Sequence, residues 1–429
     1  MQQSNKQANN NPQFEENIKI ITAIKDNLIN IRSCVNTDDN TELTFLDKYI
    51  NDKEIIGLGE DTHGTKEFQN MRTRIISYLI SNLGFRTIVL EESYSHCLKL
   101  NYYILGGEGT AEEAVREGLF FPWVFKTEET IALVKCIREY NDTVNIDNKV
   151  RFYGMDLQGS EKAIEVLQFY IKKVDINNYN KIKTDLDFIS HKNNKPNFIG
   201  LKEKLSNIDE LFIRNRTNYI KNSSEIEYSE IYHCIETYRK WIDFSMDKTF
   251  NMRDKCMFEN AKWIIENAKK YNNGKVIIIG HNDHISKGIS PNTADFRQVG
   301  YWIDNEYKEK YYNIGFEFSR GLFYSKDIND SYKLKKFQVD KSIKHDLAGR
   351  LFEATNNAMF YLDLKTTAQN NHSFQDFILS INRYYSIGAV YDEEKDDFGI
   401  DHIILMNMYD AVLYIKDSSV TTILSTEKK

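Results

Sequence analysis

Two hydrophobic rhythms alternate along the chain. Short apolar runs that stop at glycine or an acid read as buried strands, and apolar residues recurring every three or four positions read as helices. Residues 13–34 predict an amphipathic helix and 42–51 a second, shorter one. Lys53–Glu60 (KEIIGLGE), Thr87–Glu92 (TIVLEE), Val150–Gly154 and Lys275–Gly280 (KVIIIG) predict buried strands. Between the first two, Phe68, Met71, Ile75, Ile76, Leu79, Ile80 and Leu83 line one face of a helix over Lys66–Leu83, which Gly84 stops. A helix follows the second strand to Leu105, where Gly106-Gly107-Glu108-Gly109 breaks it, and another is predicted around Glu128–Tyr140. Residues 160–270 carry no strand pattern; Ile231, Cys234, Ile235, Tyr238, Trp241 and Ile242 recur at helical spacing and predict a helical insert. The strand rhythm resumes through Tyr312–Phe318, Ala358–Leu364 and Ile400–Ile415. This order predicts an α/β fold with a central, largely parallel or mixed sheet flanked by helices. The predicted division is a flexible polar leader over 1–15, a first part of the core over 16–159, the insert over 160–270 and a second part of the core over 271–429.

Composition acts by exclusion. Against 63 acidic residues stand 56 basic ones, a formal charge of -7. That balance provides neither the basic footprint of a nucleic-acid binder nor a polybasic anchor for a membrane surface. Apolar residues make up 41% of the chain and aromatics 13%, enough for a sizeable core. Cys34, Cys97, Cys136, Cys234 and Cys256 are odd in number and widely spaced, unlike a disulfide scaffold or zinc ribbon. Cys97, Cys136 and Cys234 sit in helix-like apolar contexts and read as small core residues. The polar opening lacks an apolar targeting segment, and no apolar run reaches about 18 residues. A cytoplasmic location is therefore the default expectation, and a monomer is the default for a chain of this length.

Candidate chemistry gathers at strand ends, where open α/β sheets bind ligands. The first strand runs into Gly59-Glu60-Asp61-Thr62-His63-Gly64, the second ends at Glu91-Glu92, and a later one leads to Gly280-His281-Asn282-Asp283-His284. Arg72 projects along the apolar face of its helix. A buried arginine needs a carboxylate, because desolvating its charge costs several kcal/mol, and Glu60 or Glu91 would supply one. The bland alternative has Arg72 flanking the stripe and snorkelling to water. Glu92 is expected to point opposite to Glu91, into solvent. Asp156 either lines the ligand crevice or caps the next helix. Phe120, Phe121 and Trp123 are read as core material or as the wall of an apolar pocket. His96, His191, His345, His372 and His402 show no partner pattern and read as surface or packing residues.

Taken together, GLGEDTHGTKEFQNMRTRIISYL, LGFRTIVLEE, REYN, VRFYGMD and GHNDHI occur in an order and spacing that resemble the erythromycin esterase family, from about residue 40 to at least residue 290. The resemblance implies an α/β core with helical additions, the insert lying over a deep cleft. It also implies metal-free hydrolysis without a cofactor, which in the family opens the macrolactone ring of 14-membered macrolides. By position, the family's G-E-x-[S/T]-H falls on Glu60 and His63, its helix arginine on Arg72, its strand-end glutamate on Glu91, and its H-N-x-H on His281 and His284. Asp283 stands where the family often has a small residue, which bears on the substrate. Arg253-Asp254-Lys255 also resembles a family element, without an assigned role.

Ester hydrolysis needs a nucleophile, a proton acceptor and a stabiliser for the developing oxyanion. No G-x-S-x-G elbow is present, so a covalent serine intermediate is not expected. Water activated by His63 fits better, since an unperturbed histidine titrates at about 6.5. Glu60 or Glu91 would orient His63, while His281 and Arg72 would polarise the carbonyl or hold the oxyanion. His284, Asp283, Asp156, Phe121 and Trp123 are the expected substrate-binding residues. A metal-dependent hydrolase using the same glutamates and histidines is the first alternative, although this E-x-x-H crosses a loop and is not the helical H-E-x-x-H motif. A non-catalytic small-molecule binding homologue is the second.

Overall fold

The structure, a computed structural model, describes residues 12–36, 40–190, 197–289, 296–340 and 348–425. Residues 1–11 of the predicted leader, His191 and His345 lie outside the described residues. Strands in chain order are β1 (Ile29–Asn30), β2 (Ile55–Leu58), β3 (Thr87–Ser93), β4 (Arg151–Asp156), β5 (Val276–Ile279) and β6 (Tyr311–Asp327). They continue with β7 (Lys333–Asp340), β8 (Met359–Asp363), β9 (Ile381–Tyr385), β10 (Val390–Tyr391), β11 (Ile400–Ile404) and β12 (Ala411–Ser418). The chain forms two compact units, Met1–Tyr78 with Gly280–Thr422 (unit 1) and Leu79–Ile279 with Ile423–Lys429 (unit 2).

In unit 1 the long strand β6 is flanked by β2 and β12, both parallel to it. Strand β8 adds antiparallel to β12, and β1 antiparallel to β8. Strand β7 runs antiparallel along the second half of β6, and β10 pairs parallel with its end. Residues of β2 and of the first half of β6 are all buried, which is why both read as nearly unbroken apolar runs. Beyond Phe318, β6 continues as Ser-Arg-Gly-Leu, too polar for the apolar-run signal that predicted only Tyr312–Phe318. Gly321, at φ 134°, makes that continuation possible: a Cβ there would meet the Ser418 carbonyl oxygen at 2.2 Å. The first four residues of β7 (KLKK) are exposed, and lysines on such an edge discourage pairing with another chain.

Two sequence expectations are corrected in this unit. The helix expected over 13–34 spans Pro12–Asn27, and Ile29–Asn30 instead pairs with β8. The run Ile400–Ile415 is not one strand but β11, a helical turn Leu405–Met408, and β12. Leu405 and Met408 bury themselves at helical spacing, and Asp410 secures the break by accepting the Asn313 N–H at 2.9 Å. Strand β11 pairs instead with β9 in a separate antiparallel ladder.

Unit 2 contains the parallel strands β5, β3 and β4, with β3 between the other two. The helices Lys162–Val174, Ile176–Ser190, Phe198–Asn222, Glu225–Asp247 and Phe250–Tyr271 follow one another, and no strand interrupts 160–270 among the described residues. Gly84, at φ 73°, ends the helix Lys66–Asn82, and the Phe85 N–H closes back on the Leu79 carbonyl at 3.0 Å. Asn141, fully buried, donates to the Ile104 and Val150 carbonyls and accepts the Val150 N–H, tying helix Glu128–Thr143 to the start of β4. No helix among the described residues is long and apolar enough to cross a membrane.

The strand-end turns of unit 1 interlock through an asparagine. Asn282 donates to the Phe316 carbonyl at 2.7 Å and accepts the Phe316 N–H at 2.9 Å, extending β6 pairing with a side chain. Its backbone N–H bonds the Glu60 carbonyl at 2.8 Å. The amide therefore lies against Gly59, where a Cβ would stand 2.1 Å from Asn282 Oδ1. Gly59→Ala must displace an amide that is bonded on both sides, so it is expected to destabilise the protein by about 2–4 kcal/mol. A lowered urea midpoint checks this; an unchanged midpoint refutes it.

Candidate active site

In unit 1 the turn after β2 carries the first reactive group. Glu60 is wholly buried, with Oε1 2.8 Å from His63 Nδ1, while Arg72 Nη2 donates to Oε2 at 2.6 Å. A carboxylate balanced by a guanidinium only accepts, so His63 carries its proton on Nδ1 and its lone pair on Nε2. Arg72 is 4% exposed and paired, which removes the reading in which it snorkels to water. It reaches Glu60 from the buried face of helix Lys66–Asn82. Glu60 is therefore an acid in contact with His63, as expected of one of the two candidate glutamates.

The second histidine motif opens the short helix Asn282–Ile285. His281 donates from Nε2 to the Ile387 carbonyl at 3.2 Å, and its Nδ1 receives the Asp283 N–H at 3.3 Å. The Asp283 carboxylate lies 3.4 Å from Nδ1 and accepts the Ser386 hydroxyl at 2.7 Å. Burial opposes the charge on Asp283, but neighbouring His281, the Ser386 hydroxyl and His284 hold it below the usual carboxylate range. The His63 and His281 rings lie 5.0 Å apart, tilted by 53°. His284 is half-buried. Asp401, on β11, is pushed up to about 6 by burial and by the Asp283 charge, against the opposing pull of His281 and His402.

Unit 2 holds a different arrangement. Arg253, on helix Phe250–Tyr271, bonds Asp156 Oδ2 through Nη2 at 2.6 Å and through Nε at 3.1 Å. The same Nη2 reaches Glu91 Oε1 at 3.2 Å. Burial alone would weaken the Arg253 charge, but Asp156 and Glu91 raise its pKa above the ordinary value. Asp156 also accepts the Gln158 N–H at 3.1 Å, so it steadies the turn after β4 as well. Arg253 thus gains a role that its sequence context left open. Trp123 is buried and Phe121 half-buried.

Glu92 corrects an expectation. Predicted to face solvent, it is wholly buried: all seven residues of β3 are buried, so neither face of the strand is open to water. Its Oε1 accepts the Ser93 N–H at 2.6 Å and its Oε2 the Phe121 N–H at 2.9 Å.

Five predicted residues, Glu60, His63, Arg72, His281 and Asp283, meet partners within unit 1, and Glu91 and Asp156 share Arg253 in unit 2. Ser386, Ile387 and Asp401 escaped the sequence reading because no motif marks them. Arg253 offered a usable signal, a charge beside Cys256, Met257 and Ala261 on a mostly apolar helix face. Among the described residues, no group of three or more histidine, cysteine, aspartate or glutamate side chains is arranged to hold a metal ion.

Comparison with known proteins agrees with this fold. The chain is 23% identical over 417 residues to YbfO of Bacillus subtilis, named as a hydrolase, covering 90% of this chain and 88% of that one. It is 22% identical over 428 residues to erythromycin esterase type II of Escherichia coli, covering 90% and 95%. The solved structure of a histidine-to-asparagine mutant of the erythromycin esterase EreC, in its open conformation, superposes with a TM-score of 0.63 at 15% identity, covering 90% of this chain and 96% of that one. This likeness shows the shared fold, a mixed α/β architecture with helices flanking a many-stranded sheet. Family membership supports hydrolase chemistry. The family profile described as erythromycin esterase matches residues 80–418, and the chain accordingly belongs to the erythromycin esterase family.

Proposed function

We propose that this protein is a carboxylic ester hydrolase that opens an ester or lactone, a macrolide macrolactone or a related metabolite, by direct attack of water. The observation that carries the reading is the buried Arg72–Glu60–His63 chain. Glu60 holds the Nδ1–H of His63 at 2.8 Å, which leaves Nε2 as the basic nitrogen. In the proposed step Nε2 takes a proton from water while the water oxygen bonds to the carbonyl carbon. Collapse of the tetrahedral intermediate breaks the bond to the alkoxy oxygen, which recovers the proton from His63. The products are a carboxylic acid and an alcohol, joined in one chain when a lactone is opened.

Arg72 balances the charge of Glu60 through Nη2, and its Nη1 is buried without a hydrogen-bond partner among the described residues. That donor suits an oxyanion. His281 can polarise the carbonyl only by exchanging its bond to the Ile387 carbonyl. Glu91, held by Arg253 within unit 2, is also proposed as a catalytic residue. His284, Asp283, Asp156, Phe121 and Trp123 are the proposed substrate-binding residues. The E. coli relative, 22% identical and named an erythromycin esterase, supports testing macrolides first.

Incubation with 14-, 15- and 16-membered macrolides followed by mass spectrometry is expected to show the gain of about 18 Da that ring opening by water produces. His63→Asn should lower turnover by about 10³-fold with the fold intact by circular dichroism. Residual activity within tenfold of the wild type would remove His63 as the base. Exhaustive chelation is expected to leave activity unchanged; loss restored by added zinc would favour the metal-dependent alternative.

A further inference from the structure

We propose that Ser386 is a positioning residue of the site in unit 1: its hydroxyl fixes the Asp283 carboxylate beside His281 and so sets the direction of the His281 ring. The proposal rests on the reading of His281 as a catalytic group and of Asp283 as a substrate-binding one. It adds what aims both of them.

Ser386 stands where the chain leaves a ladder. Strands β9 and β11 pair as far as Tyr385 and Ile400, and the Ser386 N–H adds one more bond, to the Gly399 carbonyl at 2.7 Å. The next residue meets both histidine motifs. Ile387, wholly buried, gives its N–H to the Asp61 carbonyl at 3.0 Å and forms a parallel bridge with Thr62, within the turn from Glu60 to His63. Its carbonyl receives His281 Nε2 at 3.2 Å. The chain beyond is tied as well. The Ser325 hydroxyl donates to the Gly388 carbonyl at 3.3 Å and the Lys326 N–H to the Ala389 carbonyl at 3.1 Å, after which β10 joins β6. Bonds to the main chain therefore hold residues 386–389 in place without help from the Ser386 side chain.

The hydroxyl serves another purpose. A serine has one O–H to donate, and this one goes to Asp283 Oδ1 at 2.7 Å. With Oδ1 held, Oδ2 stays 3.4 Å from His281 Nδ1. A carboxylate turns easily about its last bond, and a hydrogen bond to a charged acceptor is stronger than a neutral one. One hydroxyl can therefore stop a rotation that would carry Oδ2 away from the ring. His281 is bracketed by two consecutive residues, Ser386 acting through Asp283 at Nδ1 and Ile387 directly at Nε2. When Nε2 exchanges the Ile387 carbonyl for that of a substrate, the Asp283 contact at Nδ1 remains to hold the ring, 5.0 Å from that of His63. Displacing a reacting group by about 1 Å costs much of its effect, so this contact bears on the rate. The Asp283 side chain is 36% exposed, which leaves it open to a ligand.

Around Asp283 stand His281 and His284 from its own turn, Ser386 from the segment after β9, Asp401 on β11, and Tyr409. The Ser386 bond helps to hold the carboxyl below its ordinary range, so removing the hydroxyl lets that value rise. Because the folded value is lowered, ionised Asp283 stabilises the fold above the unfolded value of about 3.9, and the contribution is lost as pH falls through the folded value.

The test compares full-length wild type, Ser386→Ala, Asp283→Ala and the double variant. The Asp283 carboxyl, identified by carboxyl-carbon NMR through its absence from Asp283→Ala, should titrate about 0.5 pH unit higher in Ser386→Ala. Hydrogen–deuterium exchange of the peptide covering 384–389 should stay within about twofold of the wild type, because its bonds involve the main chain. With p-nitrophenyl acetate, or a macrolide that the wild type opens, Ser386→Ala should lower kcat about tenfold, yet by less than about twofold when Asp283 is already alanine. An unchanged Asp283 titration, faster exchange over 384–389, or equal losses of kcat in both backgrounds overturns the proposal. If the wild type hydrolyses neither this ester nor the macrolides, the hydrolase reading fails by itself, and titration and exchange still decide whether Ser386 aims Asp283.

Discussion

Glu60 lies in the interior of unit 1 with no share in solvent, and a charge so placed must be balanced where it stands. Arg72 balances it from one side and His63 uses it from the other, so a single carboxylate sets the tautomer of a histidine. Most of the surrounding architecture follows from that requirement. A helix must begin directly after the turn, with an arginine on its buried face. The turn itself must be tight enough to return His63 to Glu60 across three residues. Gly59 and Asn282 supply the tightness, since the amide occupies the space a side chain at position 59 would need.

Unit 2 solves the same electrostatic problem in another way. One guanidinium, Arg253, serves two carboxylates, Glu91 and Asp156, that end neighbouring strands. Glu92, the next residue, accepts backbone N–H groups instead, and its carboxyl is pushed up to about 8. Adjacent glutamates of identical covalent chemistry are thus held differently because their oxygens meet different donors. In unit 1 a contrast of the same kind separates Asp283, held low by His281 and Ser386, from Asp401, pushed up by burial and by the Asp283 charge.

Strands β2, β3, β4 and β5 were legible because they are buried along nearly their whole length, and a run of apolar side chains on both faces is stable only inside the protein. The helix Lys66–Asn82 was legible because its apolar residues recur at helical spacing along one buried face. Strands β7 and β9 were not. Each is partly exposed, and its stability comes from the ladder it joins, which lies elsewhere in the chain. The break at Leu405–Met408 was hidden for the same reason, since Asn313 holds Asp410 from a position 97 residues away.

The residues of the candidate site show the same division. Glu60, His63, Arg72, Glu91, His281 and Asp283 could be singled out because polar groups that end apolar runs are locally anomalous. Burial of a charge on a helix face is also a local signal, and it marked Arg72. Which carboxylate Arg72 meets, and which acid orients His63, depends on the path of a turn, where a difference of about 1 Å separates a hydrogen bond from none. Glu92 could be placed in solvent by pleat counting alone, yet both faces of β3 are covered and it lies inside. Ser386 and Ile387 carry no local mark, because their roles arise only from proximity to residues more than 100 positions distant. Local chemistry named the reactive groups, and tertiary packing assigned their partners, because hydrogen bonds and charge pairing act across space and not along the chain.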